Sequence, residues 1–145
     1  MATLTDLASR MQAIKAGLPQ AASLLSVGTA MAMETYLTQT GTPVDTSNAL
    51  SNWQVSLDAP IENEIGPYSL GSKGSTRNES ASSAINEAQS VLDNKQPGQI
   101  IYISNNAPYI QDLNDGSSAQ SPGGFDESAV IIGVQYIQSN KIVLE

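Results

Sequence analysis

The sequence predicts an α+β fold: N-terminal helices and one further helix packed on a small antiparallel sheet, with long loops between the elements. Three observations predict it. Apolar residues recur at helical spacing through the first forty positions. Two short strand-like runs, around Val55 and Ile101–Ile103, flank an alanine-rich helical stretch between them. A chain of 145 residues fits one domain, 1–145, and a domain of that size buries roughly two-thirds of its unfolded surface.

Each element can be justified in turn. Leu4, Leu7, Met11, Ile14 and Leu18 step 3, 4, 3, 4, which is one apolar face of an amphipathic helix. Thr3 or Thr5 can cap it. Gly17 and Pro19 predict a break near residue 18, with a second helix from about Pro19 to Gln39. On that helix Leu24, Leu25, Gly28, Met31, Ala32 and Thr35 share one side, and many are small enough for another backbone to come close. Gly41-Thr42-Pro43 ends this helical region, 1–40. Asp45 or Thr46 then looks like the N-cap of a single helical turn.

Trp53, Val55 and Leu57 alternate with polar residues, the mark of a half-buried strand. Residues 58–77 read as loop, with Pro60, Gly66, Pro67, Gly71 and Gly74. Residues 78–94 have helical spacing through Ala81, Ala84, Ile85, Ala88, Val91 and Leu92. Pro97-Gly98 forms a turn into a strand from Gln99 to Ser104, so strands plus a helix fill 53–104. Residues 105–124 read as loop, irregular or partly helical. The last stretch, 125–142, is helix or strand: Phe125, Ala129, Ile132, Gly133 and Tyr136 step like a helix, while Val130-Ile131-Ile132 and Lys141-Ile142-Val143-Leu144 are rich in β-branched residues.

Composition excludes several chemistries. No cysteine is present, so disulfides, thiolate catalysis and Cys-ligated metals are out. No histidine is present, which removes the commonest general base and any Ser-His-Asp triad. The net charge is −8, and the six basic residues are scattered. From Lys95 to Lys141 no cation intervenes, while Asp112, Asp115, Asp126 and Glu127 do, so that surface repels phosphates rather than gripping them. The uncharged run Ala16–Met33 holds too many Gly, Pro, Ser, Thr and Gln residues for a membrane span. It is closer to a signal peptide, but Asp6 stands in the would-be basic region.

The motif-like segments read as structure. Gly66–Lys73 misses a phosphate loop because Ser72 separates Gly71 from Lys73 and Pro67 removes an amide. Asp112–Gly116 misses a calcium loop because its glycine falls fifth and Gly123 stands at the twelfth place. Asp126-Glu127 suits a helix N-terminus. Asn78-Glu79-Ser80 fits a glycosylation sequon by chance. Asn105-Asn106 reads as a turn whose side chains bond the local backbone, Tyr109 as a ring packed over the sheet, and Trp53 as a core anchor. Paired carboxylates could serve a hydrolase, but one Phe, one Trp and five Tyr give little with which to wall a cleft. No enzyme activity, cofactor or metal is expected.

Two segments together carry a resemblance. The first is Thr42-Pro43-Val44-Asp45-Thr46, followed by Ala49 and Ser51-Asn52-Trp53. The second, some fifty residues on, is Ile101-Tyr102-Ile103-Ser104-Asn105-Asn106-Ala107-Pro108-Tyr109, then Leu113, Gly116, Ser118, Gln120, Pro122 and Gly124. In order and spacing they resemble the neck or tail-completion proteins of tailed bacteriophages, across roughly residues 1–140. The family usually has Gly where Ser47 stands, Glu near Asn114 or Asp115, and a methionine-type residue near Phe125. The resemblance implies a terminator-like fold and a structural virion protein at the head–tail junction, assembled in the host cytoplasm. Such proteins form a ring, commonly a hexamer, between the head connector and the tail tube or sheath, with DNA only as passing cargo and no membrane. Pro43, Val44, Asp45, Thr46, Trp53, Tyr102, Asn105, Asn106, Pro108, Tyr109, Leu113, Gly116, Gln120, Pro122 and Gly124 are then fold or interface residues. Another minor tail component of the same fold, or a secreted acidic binding module, is the alternative.

Overall fold

A computed structural model describes residues 2–142. It is mixed α+β and mostly helical, with a two-stranded antiparallel sheet. Helix α1, Leu4–Tyr36, starts at a capping box: Thr3 Oγ1 accepts from the Asp6 amide, and the Asp6 carboxylate accepts from the Thr3 amide. The predicted break at residue 18 is absent, and Pro19 lies inside one continuous helix. Proline removes the hydrogen bond to the Lys15 carbonyl. Residues 15–20 are exposed, so water can solvate that carbonyl, and the helix continues.

The last turn of this helical region widens into a π-helical turn, Leu37–Gly41. Both the amide and Oγ1 of Thr42 donate to the Leu37 carbonyl and close it. Arg77, distant in sequence, reaches back and donates to the carbonyls of Thr38, Gln39 and Thr42. A guanidinium there satisfies orphan carbonyls and complements the negative end of the helix.

The single turn expected after Pro43 is present as α2, Asn48–Ser51, but neither Asp45 nor Thr46 caps it. Ser47 occupies that position with φ +70°, and Thr46 Oγ1 only accepts a long 3.4 Å bond from the Asn48 amide. Asp45 is taken elsewhere, as described below. Strand β1, Gln54–Leu57, pairs antiparallel with β2, Ile101–Ser104, in a register that sets Val55 opposite Ile103 and Leu57 opposite Ile101. Those four side chains share one face. They meet Val27, Ala30 and Met31 of α1 and Ala88, Val91 and Leu92 of α3, Arg77–Leu92. The other face is polar, with Gln54, Ser56, Tyr102 and Ser104. The short helix α4, Ile110–Asn114, falls within the predicted loop.

The C-terminal stretch resolves as helix α5, Phe125–Ser139; Val143-Leu144 lie outside the described residues. Its Phe125 and Ala129 pack on Leu37, and Trp53 meets Phe125 edge-on at 6.1 Å. Gly28 and Gly133 let α5 lie close along α1. A Cβ on Gly133 would come within 2.8 Å of Met33 Sδ, and one on Gly28 would strike the Tyr136 hydroxyl. The small-residue side of α1 thus does admit another helix. Its most buried line is Ser23, Ala30 and Glu34, however, and Leu24 is exposed. The reason is that the helix is gripped from two sides, by the sheet and α3 and by α5.

Candidate interaction surface

The two segments separated by fifty residues meet in space. Gln120 clamps the first of them: its Oε1 accepts from the Val44 amide at 3.0 Å and its Nε2 donates to the Val44 carbonyl at 3.1 Å. One side chain thereby imitates a two-bond strand pairing. Asn48 Nδ2 donates to the Tyr109 hydroxyl at 2.9 Å and to Glu64 Oε1 at 3.0 Å. Pro43, Val44, Asp45, Thr46, Tyr109 and Leu113 line the surface cleft of about 300 Å³ that results.

The Asn105-Asn106 pair does more than make a local turn. Asn105 Oδ1 accepts from the Ala107 amide at 3.0 Å, which is the expected local bond. Its Nδ2 donates to the Ala49 carbonyl at 2.8 Å, and Asn106 Nδ2 donates to the Ile61 carbonyl at 2.7 Å. Two amides thus tie the end of β2 to α2 and to the long loop. Tyr109 does not pack over the sheet. It is largely exposed, because its hydroxyl is drawn to Asn48 at the rim of the cleft. Trp53 is half-buried; its Nε1 donates to Thr42 Oγ1 at 2.8 Å. Tyr102 stands on the polar sheet face, Leu113 packs against the Phe125 cluster, and Pro108 and Pro122 are exposed.

The glycines of the second segment answer a backbone demand. Gly116 has φ +94°, and a Cβ there would lie 2.6 Å from the Pro122 carbonyl oxygen. Gly124, at φ +72°, places its amide 2.7 Å from the Asn114 carbonyl and starts α5.

The Gly66–Lys73 loop does not present its amides to a phosphate. Lys73 and Gly74 adopt positive φ, and Asp45 fills the hollow: its Oδ1 accepts from the Lys73 amide at 2.6 Å and its carbonyl from Gly74 at 2.9 Å. A carboxylate of the chain itself occupies the anion position. Among the described residues no group of acidic side chains is arranged to hold a metal ion, and no helix is long and apolar enough to cross a membrane.

Two residues with large electrostatic consequences escaped the sequence reading. Arg77 is one. Glu34 is the other: it is fully buried, and neither carboxylate oxygen has a hydrogen-bond partner. Burial alone pushes its carboxyl up from 4.5 to about 8, so it is protonated at neutral pH. The signal available was its place in the run Ala30, Glu34, Leu37, an acid at a core position.

The outer surface carries two large apolar features. The first is the N-terminal arm of α1, where Leu4 is 85% exposed and Met11 61%, with Leu7 and Leu18 also open. The expected amphipathic face is present, but among the described residues nothing covers it. The second is an open groove of about 550 Å³ between α1, β2 and α5, floored by Leu25, Ser26 and Thr29 and walled by Ile100, Ile101 and Ile137. Val130, Ile131 and Val134 of α5 are exposed as well. Exposed apolar patches of this extent mark interaction sites.

Compared with known proteins, the chain matches no family model, no curated protein and no solved structure.

Proposed function

We propose that this chain is a structural virion protein of a tailed phage, forming an oligomeric ring at the head–tail junction. In that role it joins the tail tube to the head connector and lets DNA pass. The observation that carries the reading is the clamp between the two resembling segments. Pro43–Thr46 and the Asn105–Gly124 stretch are distant in sequence, yet Gln120, Asn48 and Asn105 bind them together. A shared pattern of that kind is what a common fold requires. The unpartnered arm and groove add support, since a subunit completed by its neighbours leaves apolar surface open as a monomer.

The mechanism is geometric. Copies associate into a ring, the ring caps the tube and presents a face to the connector, and an acidic lumen repels the DNA backbone. Self, connector, and tube or sheath proteins are the partners; no cofactor takes part. The loops 58–77 and 110–124 are the docking candidates, because loops on a rigid scaffold carry contacts.

Quantitative mass spectrometry of purified tailed particles encoded with this chain tests the reading. The expected result is a few copies per particle, far below the tube protein, retained when tails and heads are joined. Absence from particles would overturn it. Recovery only with the distal tail would favour a different minor tail component.

A further inference from the structure

We infer that the N-terminal arm of α1 seats in the α1–β2–α5 groove of a second copy of this chain. The choice of a second copy rests on the ring reading; the fit itself rests on three features of the molecule.

Length comes first. Leu4 to Leu18 spans about 21 Å of helix, and the groove runs along α1 from Ala22 to Met33, about 17 Å. Anchors at steps of 3 and 4 are how an amphipathic helix enters an apolar groove. The floor, with Ala22, Ser26 and Thr29, is small enough for a helix backbone to approach.

Charge comes second. The arm carries Arg10 and Lys15 against one acid, Asp6, while the whole chain carries −8. A copy therefore repels another copy generally, but attracts its arm. Asp58, bonded to Gln99 Nε2 at the groove rim, supplies the opposite sign.

Area comes third. Half the surface of a helix about 21 Å long and about 10 Å across is on the order of 400 Å². With the groove wall, one seating buries roughly 800 Å², below the ~1,200 Å² of a stable specific pair. An isolated pair is therefore weak. A closed head-to-tail ring is not, because arm and groove are different surfaces and each copy then makes two contacts, the last of them intramolecular.

Because the chain has no cysteine, disulfide trapping tests this cleanly. Met11→Cys is placed in one tagged chain and Ser26→Cys in another. The two sites lie about 22 Å apart along one continuous helix, and a disulfide needs Cα atoms within about 7 Å, so no intrachain bond can form. Under mild oxidation the mixture should give the mixed disulfide dimer in several-fold excess over either self-dimer. Leu7→Ser in the Met11→Cys chain should reduce it severalfold with an unchanged circular dichroism spectrum, since Leu7 is exposed. Ser9→Cys, on the opposite side of the arm, should not cross-link to Ser26→Cys. Equal trapping from Ser9, self-dimers alone, or no mixed dimer would each overturn the seating. A chain carrying both cysteines separates this from the ring reading: a ladder beyond the dimer agrees with both, whereas closed dimers alone keep the seating and contradict the head-to-tail ring.

Discussion

Glu34→Gln should remove a pH dependence that the wild-type chain carries. Glu34 is enclosed by the fold with no partner for either oxygen, and its carboxyl is held near 8 against 4.5 when exposed. Its folded pKa is raised, so the stability belonging to the protonated form is fully present below pH 4.5. As pH rises from 4.5 to about 8 the unfolded chain gives up the proton and the folded chain keeps it. Stability then falls by about 1.4 kcal/mol per pH unit, on the order of 5 kcal/mol across the window and about 3 kcal/mol by pH 7. That is a large part of the ~5–15 kcal/mol that holds a typical domain together. Gln keeps the size and cannot ionise. Urea unfolding of both chains from pH 4 to 9 is the assay, and the quantity is the difference between them. Other carboxylates, such as Asp126, whose bonds to Glu127 and Asn114 hold its carboxyl low, titrate alike in both chains and cancel. The two chains should agree within about 1 kcal/mol at pH 4, and Gln should be the more stable by several kcal/mol at pH 8. A flat difference would refute the reasoning, because it would mean that Glu34 is ionised and solvated or paired in solution.

Three further outcomes follow from the geometry. Gln120→Ala should cost about 1–3 kcal/mol in urea unfolding, because two bonds to Val44 are lost and its main chain is left partly unsatisfied. Gly116→Ala should cost more than 1 kcal/mol, since φ is +94° and the added carbon meets the Pro122 carbonyl; a neutral result would contradict the close approach of residue 116 to Pro122. Pro19→Ala should slow amide exchange around residues 15–20 and raise helicity, with a local gain of up to about 3 kcal/mol and little change in the core's unfolding midpoint. An unchanged exchange rate there would contradict a continuous α1.

Where the sequence was legible, periodicity and burial agreed. Ala81, Ala84, Ala88 and Leu92 step along a buried helix face, and α3 spans 77–92 where 78–94 was expected. Val55, Leu57, Ile101 and Ile103 alternate, and they do share the inner face of the sheet. Where reading failed, the cause was tertiary. Pro19 signalled a break that solvent relieves. Val130-Ile131-Ile132 suggested a strand, but the contacts of Phe125, Ala129 and Gly133 with α1 and its π-helical end fix a helix. Asn105 reads as a local turn and Tyr109 as a ring over the sheet, yet their partners lie 56 and 61 residues away. Periodicity revealed the stripe Leu4–Leu18 without revealing that nothing among the described residues covers it. Glu34 shows the same limit: a single acid in an apolar run says nothing about the walls that enclose it.

Cryo-electron microscopy of the head–tail junction of assembled particles bears most directly on the central claim. The proposed role predicts a closed ring of copies around the DNA path, each resting on its neighbour, with density continuous to the connector above and the tube below. A junction built without this chain, or a chain that stays a lone subunit off the particle axis, would contradict it.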